Sequence, residues 1–356
     1  MTKILFLFPY PHATAASQRF RFEQYLDILK ENGIGYDLQS FLDERTWEIL
    51  YKPKHYFPKI WGIIKGFGRR LLVLFRLRKY DFVFIHRETT PIGPPIFEWL
   101  IAKVFKKKVI FDFDDAIWLS NTSKNNKIAA GIKFHGKTAS VCRWAYKVSA
   151  GNDYLADYAA QFNKNVVVNP TTIDTQNWHN RIKNQREGEK IVIGWTGTHS
   201  TIKYLDEIIP IFEELEKDFS FEFLVISDRE PDFKLNSLVY QKWNKETEIE
   251  DLLKMNIGIM PLTEDKWANG KCGFKALQYM ALGIPALVSP VGVNTKIIDN
   301  QVNGYICETL EDWKKHLSFL VENLQLREQL GKEARKKIES SYSVVSNTPV
   351  FLGLFD

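Results

Sequence analysis

The chain is poor in sulfur, with three cysteines (Cys142, Cys272 and Cys307) and four methionines among 356 residues. Cysteines that are odd in number, far apart and without metal-ligand spacing exclude a disulfide framework and a zinc site, and they fit a reducing compartment. Long apolar runs are also missing. The opening MTKILFLFPYPH breaks at Pro9, short of a signal-peptide core, and no stretch approaches the roughly eighteen apolar residues of a spanning helix. A cytoplasmic protein is expected. No short repeat is visible, which excludes a solenoid. What is present is ordinary for a globular chain, 45% hydrophobic and 26% charged, and the length favours about two domains.

A net charge of +5 hides an uneven distribution. Residues 1–170 carry 26 basic and 15 acidic side chains, net +11, whereas residues 171–356 carry 22 and 28, net −6. Residues 51–80 hold nine cations and no acid, interleaved with Trp61, Phe67 and Phe75. That composition suits an anionic membrane interface. Nucleic acid is the rival polyanion, but no nucleic-acid motif accompanies the stretch. A basic surface around a core helix is the third reading.

Short apolar runs alternate with amphipathic stretches, the pattern of strand, crossover helix and parallel strand. KILFLF (3–8), FVFIH (82–86), KVIFDF (108–113), KVSAG (147–151) and NVVVN (165–169) read as strands. A helix capped by Ser17 and ended by Asn32-Gly33 buries Phe22, Tyr25, Leu26 and Leu29, and another follows the proline-rich turn at 91–95. The polar run TQNWHNRIKNQREGEK (175–190) reads as a linker. Strands KIVIGW (190–195), FEFLVIS (221–227), IGIMPL (257–262), PALVS (285–289) and GYICE (304–308) follow, with helices near 200–217, 247–254 and 273–282 and two more after Leu310. Two doubly wound α/β domains are expected, 1–175 and 186–340, with 341–356 returning to the first.

In such sheets ligands bind beyond the carboxyl ends of strands. GWTGTHSTIKYL places Gly194 and Gly197 after a strand, Ser200 at a helix start and Lys203 in its first turn, a pattern able to receive a phosphate. An ordinary glycine turn would look the same. NGKCGFKALQYMALGIP adds a glycine-rich turn that opens a helix; Lys271, Lys275 and Gln278 are spaced for one face, while Phe274, Leu277 and Met280 cover the other. Two lysines beside a helix N-terminus suit a diphosphate, and Gln278 suits a sugar or ribose hydroxyl. Gly283 and Pro285 end that helix.

These two motifs, followed by SPVGVN (289–294) and NGYI (303–306), resemble bacterial glycosyltransferases of family 4 over nearly the whole chain. The resemblance implies the GT-B fold, two Rossmann-like domains facing a cleft, with the acceptor on the N-terminal domain and a nucleotide-sugar donor on the C-terminal one. It places Gly197 and Thr198 against the donor diphosphate, with Lys203 and Lys275 pairing its charge. Gly270, Lys271, Cys272 and Gly273 would lie beside the donor sugar. The family commonly carries two glutamates eight residues apart here, one facing the sugar and one the ribose. Gly270 and Gln278 stand in their places, which unsettles donor identity more than fold.

In the first domain, IFDFDDAIW ends a strand with Asp112, Asp114 and Asp115. Asp-x-Asp matches the metal-binding triplet of the single-domain GT-A transferases, but the phosphate motifs lie in the other domain, where lysines can replace an ion; no metal and no cofactor is expected. By resemblance Asp114 takes the position near the reacting sugar, where it would orient the acceptor hydroxyl or accept its proton. These acids could instead cap a helix or pair with Arg87. Arg19 and Arg21 follow the first strand, and His86, Arg87 and Glu88 a later one. The family usually has two glycines in the first loop, where this chain reads PHATAASQRFR, so the arginines could replace backbone amides at the diphosphate or hold an anionic acceptor; Arg19, Arg21, His86 and Arg87 are the candidate acceptor contacts, His86 having a purely structural alternative.

The expected protein is a retaining glycosyltransferase acting on a saccharide, lipid-linked as an acceptor class, in surface polysaccharide assembly. Asp114, Lys203 and Lys275 are its candidate catalytic residues, and residues 51–80 would attach it to the inner face of the membrane. A nucleotide-sugar 2-epimerase of the same architecture and a non-catalytic sugar-nucleotide binder are the rivals.

Overall fold

Apolar runs without polar interruption become strands buried on both faces, as a parallel sheet covered by helices requires. The computed structural model describes residues 2–50, 52, 54–119, 134–186, 188 and 190–356. It divides into two units, residues 1–171 with 347–356, and residues 172–346. In the first, six parallel strands, β1 (Lys3–Phe8), β2 (Gly35–Ser40), β3 (Phe82–His86), β4 (Lys108–Phe113), β5 (Lys147–Ala150) and β6 (Val166–Val168), lie in the order β2-β1-β3-β4-β5-β6. The direction of winding reverses between β1 and β3. Phe6, Phe8, Phe22 and Phe84 fill the core, and the returning tail completes it: Phe351 stacks on Tyr25 at 4.2 Å, and Phe355 lies beside Phe82 and Phe84.

The second unit holds β7 (Ile191–Thr196), β8 (Phe221–Ser227), β9 (Leu238–Lys242), β10 (Ile257–Met260), β11 (Ala286–Val288) and β12 (Gly304–Ile306) in the order β12-β11-β10-β7-β8-β9, also parallel. Its reversal lies between β7 and β10. Ile193, Trp195, Phe212, Phe223, Ile259 and Leu287 form its core. Four helices matter below: α1 (Tyr56–Leu74), α2 (Phe274–Ala281), α3 (Leu324–Lys337) and α4 (Val344–Leu352). The boundary at residues 346 and 347 falls inside α4.

Three expectations need correction. The run 175–190 is no solvated linker: His179, Lys183 and Gln185 are buried on the second unit. Gln185 exchanges hydrogen bonds with Asn256, and Arg335 of α3 donates to the carbonyls of Thr175 and His179. Polar side chains with partners distant in sequence mimic solvated ones; residues 187 and 189 of that run lie outside the described residues. Ser17 does not cap a helix. The cap position is Ala15, and the chain advances through short pieces, Ala16–Arg19, Glu23–Tyr25 and Leu26–Glu31. Gln18 and Glu23 are spent on the preceding loop instead, accepting from the amides of Tyr10 and Ala13. The helix expected over 200–217 is a turn at His199–Ile202 followed by Ile209–Asp218, because Pro210 cannot donate back into the preceding turn.

Candidate functional site

The carboxyl ends of β7 and β10 flank the reversal of the second sheet, the place where such folds take ligands. Two glycines let the chain close there. A Cβ at Gly194 would come within 2.2 Å of the Met255 side chain, and one at Gly258 within 2.3 Å of the Tyr279 ring. Tyr279, fully buried on α2, bridges the two strand ends: its Oη accepts from the Thr196 amide at 3.0 Å and donates to the Ile259 carbonyl at 3.4 Å. Burial raises its pKa, so the hydroxyl keeps the proton it donates. Tyr279→Phe leaves the Thr196 amide without this partner, at a cost of about 1–3 kcal/mol. Its melting temperature is expected to fall by about 2–12 °C; an unchanged midpoint would show that the bridge carries no weight.

The loop beyond β7 gathers the lysines. Gly197 lies against Trp195, where a Cβ would meet the indole at 2.5 Å, and Lys275 Nζ sits 5.4 Å from the centre of the same indole. The ring of Tyr204 carries Lys203 at 5.2 Å and Lys271 at 6.0 Å. Two buried aromatic rings thus hold three ammonium groups from two separate motifs, each contact worth about 0.5–1 kcal/mol. Thr198 is the N-cap, displacing Ser200 from that role, and the two hydroxyls lie 2.8 Å apart. His199 donates its amide to one oxygen of Asp228, and its Nδ1 lies 2.6 Å from the other. Burial disfavours the charge on Asp228, but the bonds from His199 outweigh it and hold its pKa below the ordinary carboxylate value.

Gly270, Lys271, Cys272 and Gly273 lead into α2. Gly273 is left-handed (φ 67°), a conformation glycine adopts without strain, and a Cβ there would strike Ile297 at 2.2 Å. Lys271 precedes the helix and Gln278 is 98% buried, so Lys271, Lys275 and Gln278 do not share one open face. Gln278 donates instead to Glu248 at 3.5 Å. Buried amides look like solvated ones in a sequence when the partner lies thirty residues away. In the following motifs, Ser289 accepts from the Leu262 amide and Asn303 holds the Asp299 turn, both structural roles.

The first unit spends its charged candidates on itself. Asp112, wholly buried, receives Arg21, the hydroxyl of Ser149 at 2.6 Å and the Nδ1 of His86 at 2.8 Å. Burial opposes ionisation, yet Arg21 and His86 together drive its pKa well below the carboxylate range. Arg19 is buried as well. Arg87 lies between Asp114 and Asp115, 2.7 Å from each, and its own pKa is raised by them against its burial. Its backbone is left-handed (φ 61°) at the end of β3, a strained setting for a side chain. Arg19, Arg21 and His86 are thus buried, while Arg87 is partly exposed and paired with Asp114 and Asp115. Arginines beside strand ends were available for internal ion pairs, and their partners lie up to 91 residues away. Among the described residues no three His, Cys, Asp or Glu side chains are grouped to hold a metal ion.

Tyr204, Trp195, His199, Asp228 and Tyr279 were not legible as site residues. Only the aromatic character of Trp195 and Tyr204, adjacent to the glycine motif and Lys203, offered a local signal.

Comparison with known proteins follows this division. Residues 176–337 match the model of the family described as glycosyl transferases group 1. The spore coat protein SA of Bacillus subtilis (strain 168) is 35% identical over 66 residues, a match that spans 18% of this chain and 18% of that protein. Among solved structures, sucrose-phosphate synthase from Thermosynechococcus elongatus superposes over 100% of this chain and 98% of its own, with TM-score 0.70 and 10% identity. Anabaena HepE in complex with UDP-glucose covers 99% of each chain, with TM-score 0.64 and 11% identity. The fold is GT-B, and the chain resembles the glycosyltransferases built on it.

Proposed function

We propose that the protein is a retaining glycosyltransferase that moves a sugar from a nucleotide-diphosphate donor to a saccharide acceptor in surface polysaccharide assembly. The match of residues 176–337 to group 1 glycosyl transferases supports sugar transfer. The convergence of Lys203, Lys271 and Lys275 at the β7 end carries the reading of a donor diphosphate. As the bond from the anomeric carbon to the diphosphate oxygen breaks, negative charge grows on the leaving group. The three ammonium groups stabilise that charge in place of a divalent ion, so transfer is expected without added metal. Asp114, being paired with Arg87, serves to hold its loop and is not assigned a proton-transfer step.

The acceptor is read as a lipid-linked saccharide, and attachment to an anionic membrane surface is read from residues 51–80, of which 51 and 53 lie outside the described residues. No helix among the described residues is long and apolar enough to cross a membrane. The donor side is tested by thermal shift against UDP, GDP and ADP, with UDP first because the Anabaena neighbour holds UDP-glucose. A ligand at one hundred times its dissociation constant stabilises by about 2.7 kcal/mol. One nucleotide is expected to raise the melting temperature; no shift with any of the three would overturn the donor assignment.

A further inference from the structure

The helix α1 wears its apolar side outward. Its inward row, one residue per turn, is Gly62, Gly66, Arg70 and Leu74, all buried. A Cβ at Gly62 would come 2.2 Å from Thr46 Oγ1, and one at Gly66 2.7 Å from the Phe41 ring, so the helix backbone lies directly on its unit. Phe57 is 87% exposed, Trp61 58%, Leu72 65% and Phe75 84%, with Lys65, Arg76, Arg78 and Lys79 exposed among them. A helix packed on a core in water has the opposite arrangement. An outward apolar face set among cations, in a stretch without one acid, has the chemistry of the boundary between anionic headgroups and acyl chains.

The inner row carries one polar group, and it reaches three strand ends. Arg70 is fully buried; its Nε donates to the Thr89 carbonyl at 2.8 Å, one terminal nitrogen to the Phe8 carbonyl at 3.0 Å, and the other to the Gln39 carbonyl at 3.1 Å. Phe8 ends β1, Gln39 is the penultimate residue of β2, and Thr89 lies three residues beyond β3. Thr89 is held from its other side by Glu98, which accepts from its amide at 3.0 Å. Burial draws the Arg70 pKa down to about 9, so the guanidinium is still charged at neutral pH. No lysine offers the same planar fork of donors.

We infer that Arg70 is a positioning residue that couples contact of α1 with an anionic lipid surface to the ordering of the loops after β1 and β3, where the first sheet reverses. The inference rests on the membrane reading above. It is tested by amide hydrogen exchange on the whole chain with vesicles of equal parts phosphatidylglycerol and phosphatidylcholine, against vesicles of phosphatidylcholine alone.

With anionic vesicles, amides of α1 are expected to exchange at least about fivefold more slowly, and those of residues 10–14 and 87–92 at least about threefold more slowly. In Arg70→Lys the slowing at α1 should persist while the loops no longer respond. A merely structural role would speed loop exchange with and without vesicles and leave their ratio intact. In Trp61→Ser, with Arg70 untouched, both effects should weaken together. A wild-type chain protected at α1 but not at the loops would overturn the coupling, as would loops that still respond in Arg70→Lys. Absence of protection at α1 itself would sink the membrane reading and the coupling with it.

Discussion

Lys275→Ala is expected to lower kcat/KM for sugar transfer by about 10²- to 10³-fold, a loss of about 2.7–4 kcal/mol of transition-state stabilisation. Lys203 and Lys271 share one aromatic ring, so either can partly cover the loss of the other. Lys275 lies over a different ring, Trp195, against which Gly197 packs. Charge that develops only as the diphosphate departs makes its removal felt in kcat. The fold should tolerate the change, because the cation–π contact is worth about 1 kcal/mol at most at a partly exposed site. The measurement is steady-state transfer with the donor whose nucleotide stabilises the protein, beside a melting curve. Near-wild-type turnover would remove Lys275 from the mechanism.

Asp112→Asn is expected to cost about 3–5 kcal/mol of stability, since it leaves the buried charge of Arg21 without its counter-ion. The pH dependence has a defined sign. Burial works against the carboxylate, but Arg21 and His86 overcome it, and the pKa in the folded chain lies below the ordinary value. The stabilisation is therefore complete above about pH 5 and drains away as pH falls below about 4 toward the folded-state pKa. Denaturant melts of the wild type between pH 5 and pH 3 should lose stability in a step that Asp112→Asn lacks. Parallel slopes for the two proteins would refute the role of this carboxylate.

Central strands were legible because burial on both faces leaves an apolar run, as in KILFLF and FEFLVIS. The edge strands GYDLQS and LVYQK were not, since one flank faces no neighbour and polar residues are admitted. Lys203, Lys271 and Lys275 could be nominated from glycine turns and helix starts, because those signals are local. That Tyr204 and Trp195 collect them, or that Tyr279 ties β7 to β10, depends on side chains meeting across the sheet. The first unit shows the same limit in reverse. Arg21, His86 and Arg87 have the residue types of an anion site; the pairing of Arg87 with the nearby acids was one of the readings the sequence left open, whereas nothing local reveals that Arg21 meets Asp112, 91 residues away. In residues 51–80 composition showed only cations among aromatics; packing alone shows that Gly62, Gly66 and Arg70 form the row that faces inward.

The return of residues 347–356 to the first unit also bears on the order of synthesis. On the ribosome, every residue of the second unit is made before Phe351 and Phe355 exist. The second unit can therefore close its core while the first still lacks two of the rings that pack beside Phe84 and Tyr25. Of the two units, the one whose strands are made earlier is thus the later to be finished, and until then the rings of β1 and β3 lack their partners from the tail.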